Sequence, residues 1–186
     1  MSLKRLDYLS RSQIQRLHDL GGERNARRVL SNMGSLVSSF RGETGESIFY
    51  LSKAGREQIG CELVRQKMAQ VNHYLMRADV YIHLRPEEWK NEVKVSVGDI
   101  VRLTPDAYFS YQLRRHFLEV DHLQHMQKNR DKIERYKRLR DTGSFQERLR
   151  YFPKLVWVTR TESRKRQLAE LCNGLDTLIY TWADIR

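Results

Sequence analysis

Cysteine is scarce in this 186-residue sequence: Cys61 and Cys172 are the two, with no CxxC spacing. That excludes a disulfide framework and a cysteine-rich zinc site, and it points to buried or incidental thiols in a cytoplasmic protein. Proline is limited to Pro86, Pro105 and Pro153, and there is no repeat, low-complexity tract or proline-rich linker. No apolar run approaches the ~20 residues that cross a bilayer. Residues 1–10 lack the apolar core of a secretory signal. The expectation is therefore a cytoplasmic chain with no membrane partner. Acidic residues are also in short supply, 23 against 34 lysines and arginines, for a formal charge of +11. Residues 1–60 hold 10 basic and 6 acidic residues, so the excess is spread over both halves and is no basic tail. Such a balance favours a polyanion, with double-stranded DNA as the expected partner, through phosphate contacts and counterion release. A generically basic surface is the competing explanation.

What is present reads as two domains, residues 1–60 and 61–186. In the first, a short mixed segment over Leu3–Leu9 precedes a helix from Ser12, with Ile14, Leu17 and Leu20 on one face, that stops at Gly21-Gly22. A second helix is expected over Glu23–Leu36. Strands over Val37–Arg41 and Ser47–Leu51 flank Gly42-Glu43-Thr44-Gly45, which is hairpin chemistry. Ser52 is placed to cap a short helix through Ile59. In the second domain a long helix is expected over Cys61–Leu84, ended by Pro86. Strands follow over Glu92–Val97, Ile100–Tyr111, Arg115–Asp121, Lys154–Thr159 and Thr177–Trp182, with helices over Gln124–Arg140 and Glu162–Asn173. The continuous apolar runs Leu155–Val158 and Leu178–Tyr180 suit strands covered on both faces. The fold class expected is α+β: an N-terminal winged helix-turn-helix, then an α/β/α domain with a small mixed sheet.

At 100° per residue the second helix separates into two faces. Ala26, Val29, Leu30 and Met33 fall together at i, i+3, i+4, i+7. Arg24, Arg28 and Ser31 lie opposite, flanked by Asn25, Arg27 and Asn32. A helix docked by its apolar side then presents arginines and small hydrogen-bonding groups outward, as a recognition helix in the major groove requires. Gly21-Gly22 supplies the turn, and the following hairpin is a wing with Arg41 directed to backbone phosphate. An ordinary solvated basic face is the alternative. A helix-turn-helix also favours a homodimer, since paired half-sites mirror a two-fold axis.

Two neighbouring strand segments carry acids where apolar residues would be simpler. Pro105-Asp106 enters one, and the other reads Phe117-Leu118-Glu119-Val120-Asp121. If the strands pair, Asp106 and Glu119 come side by side. With the Val120 carbonyl they offer oxygen ligands to Mg²⁺, which would activate water and polarise a phosphodiester. The alternative is that Asp106 caps a turn and Asp121 starts a helix. In a wheel of residues 124–140, Lys132 falls within the arc of Met126, Ile133, Tyr136 and Leu139. A lysine on a buried stripe wants a carboxylate partner, and Lys132 and Tyr136, one turn apart, can both approach Asp106 and Glu119. Arg160, Arg164, Lys165 and Arg166 form a further basic cluster with a capacity for phosphate.

Pro105-Asp106 and Glu119-x-Asp121 resemble the PD-(D/E)xK nuclease superfamily, with Asp121 where that motif has lysine. Some members move the lysine to the following helix, where Lys132 stands. The resemblance implies a restriction-endonuclease-like domain, with Asp106, Glu119, Asp121 and Lys132 as catalytic positions and Asp106, Glu119 and Val120 as Mg²⁺ ligands. More broadly, the sequence is similar to the replication-relaxation family of plasmids and other mobile elements. That similarity runs through Leu9–Ile14, Ala26–Leu30, Tyr50–Gly55, Asn72-His73, Pro105-Asp106-Ala107, Phe117–Asp121, Lys132 with Tyr136, and Phe152-Pro153 leading into Val156–Val158. It implies a winged-helix domain fused to a nuclease-like domain, acting in replication or DNA relaxation. Three functions follow: a DNA-binding protein of a mobile element, an active Mg²⁺-dependent endonuclease, or a dimeric transcriptional repressor.

Overall fold

Leu3 and Leu6, one turn apart, form the buried side of helix α1 (Ser2–Leu6), at the start of a computed structural model that describes residues 2–98 and 100–186. After strand β1 (Leu9–Ser10), helix α2 (Arg11–Leu17) opens with a capping box. Ser10 Oγ accepts from the Gln13 backbone N–H at 3.2 Å, and Gln13 Oε1 accepts from the Ser10 N–H at 3.0 Å, which satisfies two otherwise orphaned donors. The chain turns at Gly21 (φ +65°), and the Asn25 amide donates to the Leu20 carbonyl at 2.8 Å to close the turn. Helix α3 (Glu23–Asn32) follows with Ala26 and Leu30 buried; Val29 and Met33 are half-buried against a cleft of about 470 Å³. It ends before the expected Leu36. Gly34, at φ +51°, leaves the α-helical region, and residues 34–36 form a 3₁₀ turn.

Strands β2 (Val37–Arg41) and β3 (Ser47–Leu51) pair antiparallel, from Val37↔Leu51 to Arg41↔Ser47, with β1 on the other edge of β3. Both strands have the bounds that the hairpin chemistry predicts. Helix α4 (Lys53–Ile59) starts where Ser52 Oγ accepts from the Gly55 N–H at 3.0 Å, and it stops at left-handed Gly60. The long helix expected from Cys61 begins only at Val71, as α5 (Val71–Leu84). Tertiary partners claim the backbone and side chains before it: the Tyr8 hydroxyl donates to the Gln66 carbonyl at 2.7 Å, and Arg65 Nε donates to Asp7 at 3.1 Å. Helix α5 is tied to the elements before it. Gln13 donates to the Leu75 carbonyl at 2.8 Å, Arg16 pairs with Asp79, and wholly buried Arg77 pairs with Asp7. The chain accordingly divides into compact units Met1–Ile82 and His83–Arg186, later than the boundary expected after residue 60.

The second unit contains β4 (Glu88–Asn91), β5 (Val95–Val97), β6 (Val101–Leu103), β7 (Ala107–Tyr111), β8 (Arg114–Asp121), α6 (Met126–Asp141), α7 (Ser144–Leu149), β9 (Lys154–Thr159), α8 (Glu162–Leu171) and β10 (Thr177–Thr181). A mixed sheet runs β10-β9-β8-β7-β4, with β8, β9 and β10 parallel and β7 and β4 antiparallel; β5 and β6 pair separately. The two parallel pairs require helical crossovers, which α6 and α8 provide. The strand expected over residues 100–111 is two strands, because Pro105 has no N–H to give a ladder and Asp106 turns into the next pairing. Strand β4 and helix α7 were not anticipated; each is too short and too polar to show a period. The main core joins Phe117, Leu155 and Trp157 of the sheet to Ile133, Tyr136 and Leu139 of α6, Phe145 of α7 and Leu168 of α8. Within this unit the three helices therefore share one face of the sheet, and Leu118, Val120, Val156 and Val158 on the other face are buried as well.

Gly55 explains part of the Tyr50–Gly55 segment. A Cβ at this position would lie 2.0 Å from the Leu36 carbonyl oxygen, so α4 can close on residues 34–36 only with glycine there. Gly55→Ala is expected to cost about 2 kcal/mol or more of stability in urea denaturation, as overpacking against rigid backbone does. Unchanged stability would refute this close approach.

Candidate functional site

Two places gather the chemistry that the sequence marks. On α3, Arg24, Arg27, Arg28, Ser31 and Asn32 are all exposed, on the side away from buried Ala26 and Leu30. Asn25 does not join them. Its amide nitrogen holds the Leu20 carbonyl, and its oxygen accepts from Arg28 at 2.8 Å, so it shapes the turn and orients an arginine. Arg27 lies within 2.5 Å of Glu23 one turn earlier, an exposed pair of small energetic weight. Arg41, exposed on β2, donates to the Gly45 carbonyl at 2.7 Å and so closes the hairpin tip.

The second place is the centre of the mixed sheet. Side chains alternate along β8, so Phe117, Glu119 and Asp121 project to the face that α6 and α8 cover. Asp106 is held beside them from the start of β7: its N–H donates to the Leu118 carbonyl at 2.9 Å, and its Oδ2 accepts from the Val120 N–H at 2.7 Å. Wholly buried Glu119 accepts from Lys132 Nζ through Oε2 and from the Tyr136 hydroxyl at 2.6 Å through Oε1. Asp106, Glu119, Lys132 and Tyr136 thus form one cluster, as the stripe on α6 suggested. Burial, then the nearby Asp106 carboxylate, push the Glu119 pKa up to about 8 despite Lys132 and Tyr136. Burial opposes the Lys132 ammonium, but the Glu119 and Asp106 charges outweigh it and raise its pKa.

Asp121 is engaged elsewhere. Arg164 grips it with two nitrogens at 2.6 and 2.7 Å, Thr159 donates at 2.7 Å and Asn129 at 2.9 Å. Burial alone would raise this carboxyl, yet the hydrogen bonds from Arg164, Asn129 and Thr159 hold it below its ordinary value. With this many donors Asp121 anchors the start of α8, apart from the Glu119 cluster. These partners were missed because they lie 8 to 43 residues from Asp121 in sequence. The one local signal is Arg164 in the first turn of α8, which in sequence is indistinguishable from its basic neighbours. Half of that basic cluster is engaged, Arg164 on Asp121 and Lys165 on Asp184 at 3.0 Å, while Arg160 and Arg166 are exposed.

The donor set as arranged does not fit Mg²⁺. Both Glu119 oxygens are occupied, by the Lys132 ammonium and the Tyr136 hydroxyl. Asp106 Oδ2 takes the Val120 N–H, and the Val120 carbonyl accepts from the Gln124 amide at 3.1 Å. Among the described residues, no group of three His, Cys, Asp or Glu side chains stands ready for a metal. The position that a cation would take beside the acids belongs to the Lys132 ammonium.

Fold and site define an α+β protein with an exposed basic helix in one unit and a buried carboxylate–lysine cluster in the other. The chain belongs to the replication-relaxation family, whose sequence profile matches residues 1–155. No curated protein matches it. Among solved structures it is similar to the crystal structure of protein VC1899 from Vibrio cholerae, at 13% identity and a TM-score of 0.38. That alignment covers 87% of this chain and 40% of the other, and the likeness is too distant to inform fold or site. None of the described helices is long and apolar enough to cross a membrane.

The Glu119 cluster predicts a pH dependence. An acid whose folded pKa is raised holds a proton that the unfolded chain has already released, so its stabilising contribution is full below about 4.5 and is lost as pH rises through about 8. Between pH 5 and 8.5 the wild-type melting temperature should fall by several degrees more than that of Glu119→Gln, which carries no titrating proton. Parallel profiles would show that Glu119 is ionised throughout.

Proposed function

We propose that this chain is a cytoplasmic DNA-binding protein of a plasmid or other mobile element. In this reading residues 1–60 work as a winged helix-turn-helix. The exposed line of Arg24, Arg27, Arg28, Ser31 and Asn32 on α3 carries the reading, because it faces away from the side by which α3 docks. Arginine forks match guanine edges and phosphates, while serine and asparagine serve as short-range hydrogen-bonding groups. The β2–β3 hairpin, with Arg41 near its tip, is the wing. Membership of the replication-relaxation family supports a role in replication of such an element. A homodimer would set two copies of α3 on paired half-sites.

The second unit is, in the same proposal, a nuclease-like domain that serves DNA contact or assembly without Mg²⁺-dependent cleavage. The closed Glu119–Lys132–Tyr136 cluster supports that choice over an active endonuclease.

Two experiments test the proposal. Each phosphate contact contributes about −0.9 to the slope of log affinity against log salt, so Arg24→Ala/Arg28→Ala should flatten the slope by ~2 and weaken duplex binding at least about tenfold. An unaltered slope and affinity would overturn the assignment of α3. Supercoiled plasmid incubated with the protein and Mg²⁺ or Mn²⁺ should stay intact. Nicking that disappears in Asp106→Ala and Glu119→Ala would establish the endonuclease instead.

A further inference from the structure

Strands β7 and β8 are joined by the two-residue turn Gln112-Leu113, between the paired residues Tyr111 and Arg114. Both turn residues lie in the left-handed region, at φ +50° and +61°. Two-residue hairpins of this kind ordinarily carry Asn-Gly or Asp-Gly, because glycine has no Cβ to clash and Asn or Asp can bond locally. Leucine has neither advantage. It is also 93% exposed, well above the next large apolar side chain among the described residues, Leu123 at 73%. Neither local conformation nor burial accounts for a leucine here.

The base beneath that tip is braced. The Arg115 N–H donates to the Tyr151 hydroxyl at 2.9 Å, and the Arg114 guanidinium lies 4.5 Å over the Tyr151 ring. The Gln112 N–H donates to Glu87 at 3.1 Å, and His116 stacks on Phe109 with centroids 4.9 Å apart. The hairpin therefore presents one apolar side chain at the end of a stiff support. Arg114 next to it is exposed, as are Arg148 and Arg150, which precede Tyr151 in the chain. The nearby acids are exposed but paired, Glu87 with the Gln112 backbone and Glu88 with Arg115.

An apolar tip flanked by guanidinium groups matches the surface of duplex DNA opened at a base step, with stacked faces inside and phosphates on either side. We propose that Leu113 is a wedge that enters between two base pairs of bound duplex DNA, while Arg114 and its neighbouring arginines meet the adjacent phosphates. This rests on the DNA-binding reading above and adds a contact from the other unit of the chain. Wedging of this type unstacks the step and kinks the duplex, at least cost at TA and CA steps.

The test uses the full chain and a duplex carrying 2-aminopurine beside a central TA step, with donor and acceptor dyes at its ends. Wild type is expected to raise the 2-aminopurine emission severalfold and shorten the end-to-end distance. Leu113→Gly relieves the left-handed strain, so it should melt at the same temperature or higher. It should also lose the emission rise and bind about tenfold more weakly, at an unchanged salt slope. Leu113→Met, which keeps an apolar wedge, should restore the emission. If Leu113→Gly binds and unstacks as wild type does, or if wild type binds without unstacking, the wedge is refuted while DNA binding through α3 stands. If wild type binds no duplex at all, both proposals fall. A loss of self-association in Leu113→Gly with DNA behaviour intact would reassign the tip to a protein contact.

Discussion

Burial of acidic side chains in the middle strand of a sheet is costly, and the second unit is organised around meeting that cost. Strand β8 lies between β7 and β9, and every residue from His116 to Asp121 is buried. A carboxylate without partners at such a position would lose several kcal/mol of solvation, about as much as a whole domain has to spare. Alternation puts Glu119 and Asp121 on the same side as Phe117, so the helices that cover this apolar face must also deliver donors to two fixed points. Helix α6 does so with Asn129, Lys132 and Tyr136 along a single stripe, and α8 with Arg164 from its first turn. Sliding either helix by one turn would leave the apolar contacts approximate but the carboxylates unanswered. Charge satisfaction fixes this register more sharply than shape does.

The two acids are met differently, and the difference shapes what each can do. Asp121 receives four hydrogen bonds with a guanidinium among the donors, which stabilises its ionised form and closes it to other work. Glu119 has two partners, but its complete burial and then a second carboxylate nearby raise its pKa. The first unit uses the same device at Asp79, which pairs with Arg16, and at Asp7. Asp7, buried at φ +69°, is held between Arg65 and Arg77, and that grip ties the segment before α5 and α5 itself to the N-terminal elements. Several of the arginines behind the +11 charge are thus internal fastenings, and the exposed set on α3 stands out against them.

Much of the fold could be read locally. The hairpin strands β2 and β3, the Ser52 cap, the stop at Gly60 and the run Lys154–Thr159 follow from turn chemistry, capping and short apolar runs. Features were lost where a distant residue intervened. The stretch 61–70 has good helix formers, yet the Tyr8 hydroxyl and Asp7 claim Gln66 and Arg65. Asn25 sits on the basic side of its wheel and is drawn instead into the turn before it.

The sequence by itself determined which side chains share a face, because periods of 3.6 and 2 are properties of the backbone. That was enough to bring Lys132 and Tyr136 toward Glu119 and to set Arg24, Arg28 and Ser31 opposite Ala26 and Leu30. Tertiary structure alone decided which of those groups remain available. Whether a carboxylate serves as an anchor or as a proton-holding group depends on the donors that cross the space above it. For Asp121 the decisive donor stands 43 residues along the chain, where no local pattern records it.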